Sequence, residues 1–188
     1  KLNLNLPKIK LLQTFGTSET GILKTQSKSS NSLFFKIIDD EKEFKIVGDE
    51  LYLKSKTQVN GYVNHNNDSF LNDGWYATGD LVETDEDDYI KIIGRKNKLI
   101  NVGGLKVLPK EIEDVINSVN GVDDSTVFSE PNNIVGNIVC AKIFTQLENT
   151  KELKLEIKSV CRKNLDKYKV PVKLFFEKLE MTKRGKKC

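Results

Sequence analysis

One histidine and three cysteines are spread over 188 residues, and each scarcity removes a class of chemistry. His65 stands alone in a polar Asn/Asp-rich stretch, so neither a Ser-His-Asp arrangement nor a metal cluster can be assembled around it. It is expected at the surface. Cys140, Cys161 and Cys188 are far apart and odd in number, which supports neither a disulfide framework nor a C-x-x-C metal pair. No apolar run approaches the roughly 18 residues of a membrane helix, and the opening KLNLNLPKIK lacks the apolar core and cleavage site of a secretory signal. No membrane span and a cytoplasmic setting are therefore expected. The glycines follow no G-x-G-x-x-G spacing and precede no Gly-Lys-Ser/Thr, so neither standard phosphate loop applies.

What is present is an ordinary globular composition, 38% hydrophobic and 30% charged, in a chain long enough for one domain or two small ones. The net charge of +3 conceals an asymmetry: residues 1–93 hold 11 Lys/Arg against 15 Asp/Glu, net −4, whereas residues 94–188 hold 19 against 12, net +7. A basic half suits a polyanion such as nucleic acid, a membrane surface or a phosphorylated small molecule, and it equally suits solvated lysine-rich helix faces.

The periodicity changes at the same place. Residues 11–15 (LLQTF) form a short strand-like run ended by Gly16, and 33–38, 44–47, 50–56 and 89–94 are further strand candidates. Gly48-Asp49 predicts a hairpin between the third and fourth of these five, and the acidic tract 83–88 (ETDEDD) reads as a solvated turn rather than a metal site. Beyond Gly94, Pro109 suits the first position of a helix whose Ile112, Val115, Ile116 and Val119 share one face before Gly121. Strands are expected at 124–129, 137–144 and 173–179, and a second helix at 151–168 with Leu153, Ile157, Val160, Leu165 and Tyr168 on one face. The fold class is α+β: a mostly β first half, then a small α+β domain.

Four motifs now fall in order: FGTSE (15–19), DGWYATGDL (73–81), GRKNKLINVGGLKVLPKEIE (94–113) and MTKRGKK (181–187). Together they resemble successive signatures of the adenylate-forming superfamily, which contains acyl-CoA synthetases, the adenylation domains of nonribosomal peptide synthetases, and firefly luciferase. The resemblance covers essentially the whole chain. The superfamily's Ser/Thr/Gly-rich, Lys-terminated loop lies upstream of the first signature, and nothing like it occurs in these 188 residues. The resemblance thus implies a C-terminal portion: residues 1–93 as the end of the large AMP-binding domain, including its barrel-like subdomain, and 94–188 as the mobile C-terminal domain.

The resemblance also implies a chemistry: a carboxylic acid and ATP with Mg²⁺ form an acyl-adenylate, and the thiol of CoA, or of a carrier protein, then displaces AMP. Bringing two anions together requires positive charge aimed at the α-phosphate, the role implied for Lys186. Phe15 would lie against adenine; Thr17 and Ser18 would contact the nucleotide, with the Ser18 hydroxyl on the α-phosphate; Glu19 would offer an oxygen to Mg²⁺. Asp80 would accept hydrogen bonds from the two ribose hydroxyls, with Arg95 on the same sugar. Asn97 occupies the hinge position, and Gly103 and Gly104 a turn lining the thiol tunnel, where glycine allows close backbone approach and positive φ.

This chain departs from the usual pattern in three places. Asn97 stands where Asp or Lys is common, Glu180 where Pro often precedes the Thr of the tail, and Phe15 where Tyr is usual. Trp75 and Tyr76 are expected to pack rather than react. The rival reading is a non-catalytic basic module that binds nucleic acid; single-strand binders interleave aromatic platforms with cations, whereas Phe128, Phe144, Phe175 and Phe176 fall on core-like strands. No nucleic-acid partner is expected.

Overall fold

A computed structural model describes residues 13–178 apart from 31 and 149. The chain divides into two compact units that meet between Asn97 and Lys98. The last strand of the first unit runs through Arg95.

In the first unit, β1 (Phe15–Thr17) pairs with β2 (Gly21–Leu23). The strand runs through Gly16 instead of ending there, since a Cβ on Gly16 would lie 2.8 Å from the Ile22 backbone; glycine is what lets the two chains approach. The remaining strands are β3 (Thr25–Ser27), β4 (Phe35–Ile37), β5 (Lys42–Val47), β6 (Glu50–Ser55), β7 (Tyr76–Thr84) and β8 (Ile90–Arg95). They form one antiparallel sheet in the order β3-β4-β8-β7-β6-β5. As expected, β5 and β6 turn through Gly48 and Asp49, whose φ values of 57° and 68° suit a tight hairpin. Leu23, Phe35, Leu51, Leu53, Val82 and Ile90 are buried as its core.

Strand β7 was not among the expected strands, because Gly79 and Asp80 interrupt its apolar alternation. It also extends into the acidic tract as far as Thr84, leaving the turn to residues 85–88. There the Asp85 carboxylate accepts the N–H groups of Asp87 and Tyr89, and Lys28 bridges Asp85 and Asp87 at 2.7 and 3.0 Å.

The second unit opens with the hairpin β9 (Ile100–Val102) and β10 (Leu105–Val107), followed by helix α1 (Pro109–Asn117). Strands β11 (Asp124–Asn132) and β12 (Gly136–Phe144) pair antiparallel; α2 (Lys151–Asn164) then crosses over to β13 (Lys173–Glu177), which pairs with β12 in parallel. Ile112 and Ile116 of α1 and Leu153, Ile157 and Cys161 of α2 cover Val127, Val139, Ala141 and Ile143 of the sheet.

Helix α2 is shorter than its periodicity predicts. Leu165 stays buried but is extended, and a 3₁₀ turn, Lys167–Lys169, replaces the last helical turn. Pro171 drives Val170 out of helical conformation, and Lys169 is held by Glu111 and Asp166 at 2.8 and 3.0 Å.

The phenylalanines split by strand face. Phe176 packs against the core beside Ile143, whereas Phe144, the next residue on β12, is buried on the opposite face, where Phe128 and Phe175 meet with centroids 6.0 Å apart, leaving Phe175 40% exposed. Cys140 and Cys161 are buried free thiols, and His65 is exposed. No described helix is long and apolar enough to cross a membrane.

Candidate nucleotide site

The site is built around a break in the β6–β7 ladder. Tyr52 pairs with Ala77 and Glu50 with Leu81, so Thr78, Gly79 and Asp80 bulge opposite Leu51 alone. A bulge bends the strand and re-aims its side chains, at the cost of leaving backbone groups without ladder partners. Side chains supply those partners here. Gly79, with φ of 72°, donates its N–H to Glu50 Oε1 at 3.2 Å; the Asp80 N–H goes to Thr78 Oγ1 at 3.0 Å; the Thr78 carbonyl accepts Arg95 Nη1 at 2.9 Å. Thr78 Oγ1 itself donates to the Leu51 carbonyl at 2.7 Å.

This places a carboxylate that is 3% exposed where it is only half satisfied. Arg95 on β8 pairs across from Asp80, and its Nε lies 2.7 Å from Asp80 Oδ1. Asp80 Oδ2 is buried without a hydrogen-bond partner among the described residues. Such an orphaned acceptor is costly unless a ligand completes it. Burial pushes the Asp80 carboxyl above its usual range; Arg95 and Thr78 oppose that shift, and the charge of Glu50 adds to it. Glu50 is itself buried, its Oε2 2.7 Å from Lys96 Nζ.

Glu19 sits in a second cluster of this unit. The Tyr62 hydroxyl donates to Glu19 Oε1, and the Val59 N–H bonds the Glu19 carbonyl at 3.0 Å. Burial pushes the Glu19 carboxyl up, but hydrogen bonds from Tyr62, its own backbone, Ser18 and Thr17 outweigh it and hold the group below the usual carboxylate range. The same bond to Glu19 raises the Tyr62 phenol. The Tyr62 ring packs edge-on to Phe70 at 5.4 Å, and Phe70 lies 5.0 Å from buried Tyr76. Tyr76 thus packs, as expected, and Trp75 carries Lys45 over its ring at 4.2 Å.

Among the described residues no three His, Cys, Asp or Glu groups converge as a metal cluster. A single ionised carboxylate at Glu19 still fits Mg²⁺, which commonly takes one or two protein carboxylates and completes its shell with phosphates and water.

The FGTSE residues occupy β1 and the turn after it. Phe15 is half-buried, its ring stacked on Phe35 at 6.1 Å and 17°. Thr17 has a local structural task, since its Oγ1 accepts the Thr20 N–H at 3.0 Å and lies 2.9 Å from Thr20 Oγ1. Ser18 is exposed.

Asn97 lies in a 3₁₀ turn, Lys96–Lys98, at the seam between the units. Gly103 and Gly104 form the two-residue β9–β10 turn with φ of 57° and 88°, so the positive-φ reason for glycine holds. The close-approach reason is not met within this unit, where added Cβ atoms would meet nothing within 4 Å. The Gly104 N–H is capped by Asn101 Oδ1 at 2.9 Å, and the Gly103 N–H by the Val135 carbonyl at 2.9 Å. Lys186 lies outside the described residues, as do Lys183, Lys187 and Cys188.

Four residues that organise the site were not among the expected ones: Glu50, Thr78, Tyr62 and Lys96. Thr78 lay inside a quoted motif, where its proximity to Asp80 was a usable signal. Glu50, Tyr62 and Lys96 lie 29, 43 and 46 residues from the groups they bond, and sequence spacing carries no sign of those contacts.

A mostly β unit presenting a bulged Thr-Gly-Asp to a cross-strand arginine, followed by a small α+β unit, has the architecture of adenylate-forming enzymes. Residues 111–186 match the AMP-binding enzyme C-terminal domain family. The chain is 34% identical over 194 aligned residues to a 2-succinylbenzoate–CoA ligase of Listeria monocytogenes, covering 95% of this chain and 39% of that protein. It is 34% identical over 156 residues to a long-chain-fatty-acid–CoA ligase of Haemophilus influenzae, covering 80% of this chain and 27% of that one. Among solved structures, the anthranilate CoA ligase AuaEII in complex with anthranoyl-AMP superposes with a TM-score of 0.67 and 26% identity, covering 79% of this chain and 32% of that one. The chain belongs to the adenylate-forming superfamily, to its C-terminal portion. It spans about two fifths or less of the length of these relatives.

Proposed function

We propose that this chain is the C-terminal portion of an AMP-forming acid–thiol ligase that activates a carboxylic acid with ATP and passes the acyl group to CoA. The observation that carries the reading is the orphaned Asp80 Oδ2 beside an Oδ1 already held by Arg95. A ribose presents two neighbouring hydroxyls, and a buried charged acceptor with free lone pairs is their complement. Arg95 both neutralises the carboxylate and fixes its plane.

Phe15 offers the ring for adenine, and exposed Ser18, with Thr17 behind it, the contacts for phosphate oxygens. Glu19, kept ionised, would hold Mg²⁺, which when bound offsets phosphate charge. Lys186 then supplies the charge on the α-phosphate as the acyl-phosphate bond forms. Asn97 is the pivot between the adenylating and thiol-accepting arrangements of the mobile domain, and Gly103 and Gly104 line the path of the thiol-bearing arm. The CoA ligase relatives favour CoA over a carrier-protein thiol as the acceptor, and the reading implies a cytoplasmic enzyme.

The test is acid-dependent pyrophosphate release by the intact ligase, assayed with 2-succinylbenzoate, long-chain fatty acids and aryl acids. Release with at least one acid, followed by CoA-dependent thioester formation, is expected. Pyrophosphate release with none of them would overturn the reading. Residues 1–188 alone are expected to release none with any acid, since this sequence holds no Ser/Thr/Gly-rich loop to grip the pyrophosphate.

A further inference from the structure

The Glu50 carboxylate joins three elements from a buried position. Its Oε1 accepts the Gly79 N–H at the apex of the β7 bulge, and its Oε2 takes Lys96 Nζ at 2.7 Å and the Tyr52 hydroxyl at 3.4 Å. Gly79 precedes the proposed ribose carboxylate, Asp80; Lys96 follows Arg95 and precedes the proposed pivot, Asn97. A charged side chain buried to 4% exposure on a strand that otherwise alternates ordinarily calls for a reason beyond packing.

We infer that Glu50 is a positioning residue with two separable tasks: it holds the bulge that aims Asp80, and it clamps Lys96 so that hinge motion begins at Asn97 and not before it. The inference rests on the proposed ligase reading for its functional consequence, but its structural content does not depend on that reading. Without Glu50 the Gly79 N–H has no acceptor, and the bulge can relax toward a regular ladder that carries Asp80 away from Arg95. Without the carboxylate's charge, Lys96 loses its only ion-pair partner among the described residues, and the turn preceding the pivot is freed.

Glutamine separates the two tasks. Glu50→Gln keeps a carbonyl oxygen for the Gly79 N–H but places an amide nitrogen toward Lys96, whereas Glu50→Ala removes both functions. The first readout is amide hydrogen exchange on the 188-residue chain. Gly79 is expected to keep its protection in Glu50→Gln and to exchange about tenfold faster in Glu50→Ala, the loss of one buried hydrogen bond. The amides of Lys96, Asn97 and Lys98 are expected to exchange faster in both variants.

The second readout is the intact ligase. Glu50→Gln should leave the KM for ATP within about twofold and change the ratio of thioester formation to adenylation, whereas Glu50→Ala should raise the KM for ATP about tenfold, the same one-bond loss passed to Asp80. If Glu50→Ala does not fold, Glu50→Gln and Lys96→Met still test the clamp by exchange. Unchanged Gly79 exchange in a folded Glu50→Ala, or unchanged exchange at residues 96–98 in both Glu50→Gln and Lys96→Met, would overturn the inference. If the exchange effects appear but the wild-type ligase activates no acid, the ligase reading fails and the positioning role stands.

Discussion

Asp80 and Arg95 are cross-strand partners on β7 and β8, and one oxygen of the carboxylate is bound by the guanidinium at 2.7 Å while the other is buried with no partner among the described residues. A pair that satisfied only itself would engage both oxygens in a bidentate fork. The half-finished geometry is what the proposed ribose-binding role of Asp80 requires.

Asp80→Asn should therefore weaken nucleotide binding and strengthen the fold. Losing hydrogen bonds to a charged acceptor costs about 1.5 to 3 kcal/mol, or roughly 10- to 100-fold in the KM for ATP of the intact ligase. Burial raises the Asp80 pKa above its ordinary value, so the stability it contributes is fully present below the unfolded carboxyl pKa and is lost as pH rises through the higher folded one. The variant is expected to melt above the wild type at neutral pH and to lose that advantage below the ordinary carboxylate range. A lower melting temperature at neutral pH would show that the Arg95 pair outweighs burial.

Proline at Asn97 tests the pivot. A 3₁₀ turn such as Lys96–Lys98 takes φ of roughly −50 to −70°, near the −65° that proline imposes, and proline also pushes the preceding Lys96 toward extended conformation, so the substitution restrains both residues at the proposed pivot. In the intact ligase, adenylation should persist while thioester formation falls about tenfold or more, the loss set by restraining the domain step. Equal loss of both half-reactions with an unchanged melting temperature would place the pivot elsewhere.

Gly103→Asn tests the tunnel without breaking the turn. At φ of 57° asparagine is the side chain best tolerated, and no atom stands within 4 Å of the new Cβ inside this unit. The melting temperature should hardly move, whereas the KM for CoA should rise about tenfold, as obstruction of a close approach costs about 1 to 3 kcal/mol. Gly104→Val, strained at φ of 88°, should lower stability as well.

Lys186→Ala should lower acid-dependent pyrophosphate formation about 10²- to 10³-fold, the usual cost of removing one preorganised stabiliser of developing charge. Conversion of supplied acyl-adenylate and CoA to the thioester should remain near normal. Lys183→Ala and Lys187→Ala are the controls: equal losses from these neighbours would make the tail a diffuse basic patch.

The amino-acid sequence by itself determined the elements whose signals are local. The Gly48-Asp49 hairpin, the proline-initiated α1 with Ile112 and Ile116 turned inward, and the strands at Asp124 and Gly136 all follow from period and turn chemistry. The motifs placed Asp80 and Arg95, but not the reason they meet. That was decided in three dimensions, where β7 runs through a glycine and an aspartate because Glu50, 29 residues away, accepts the Gly79 N–H that the bulge leaves over. Likewise Glu19 owes its lowered pKa in part to a tyrosine 43 residues distant. Periodicity reports what one element buries, whereas a bulge and its buried carboxylates are stabilised by partners distant in sequence, and only the folded unit brings those within hydrogen-bond distance.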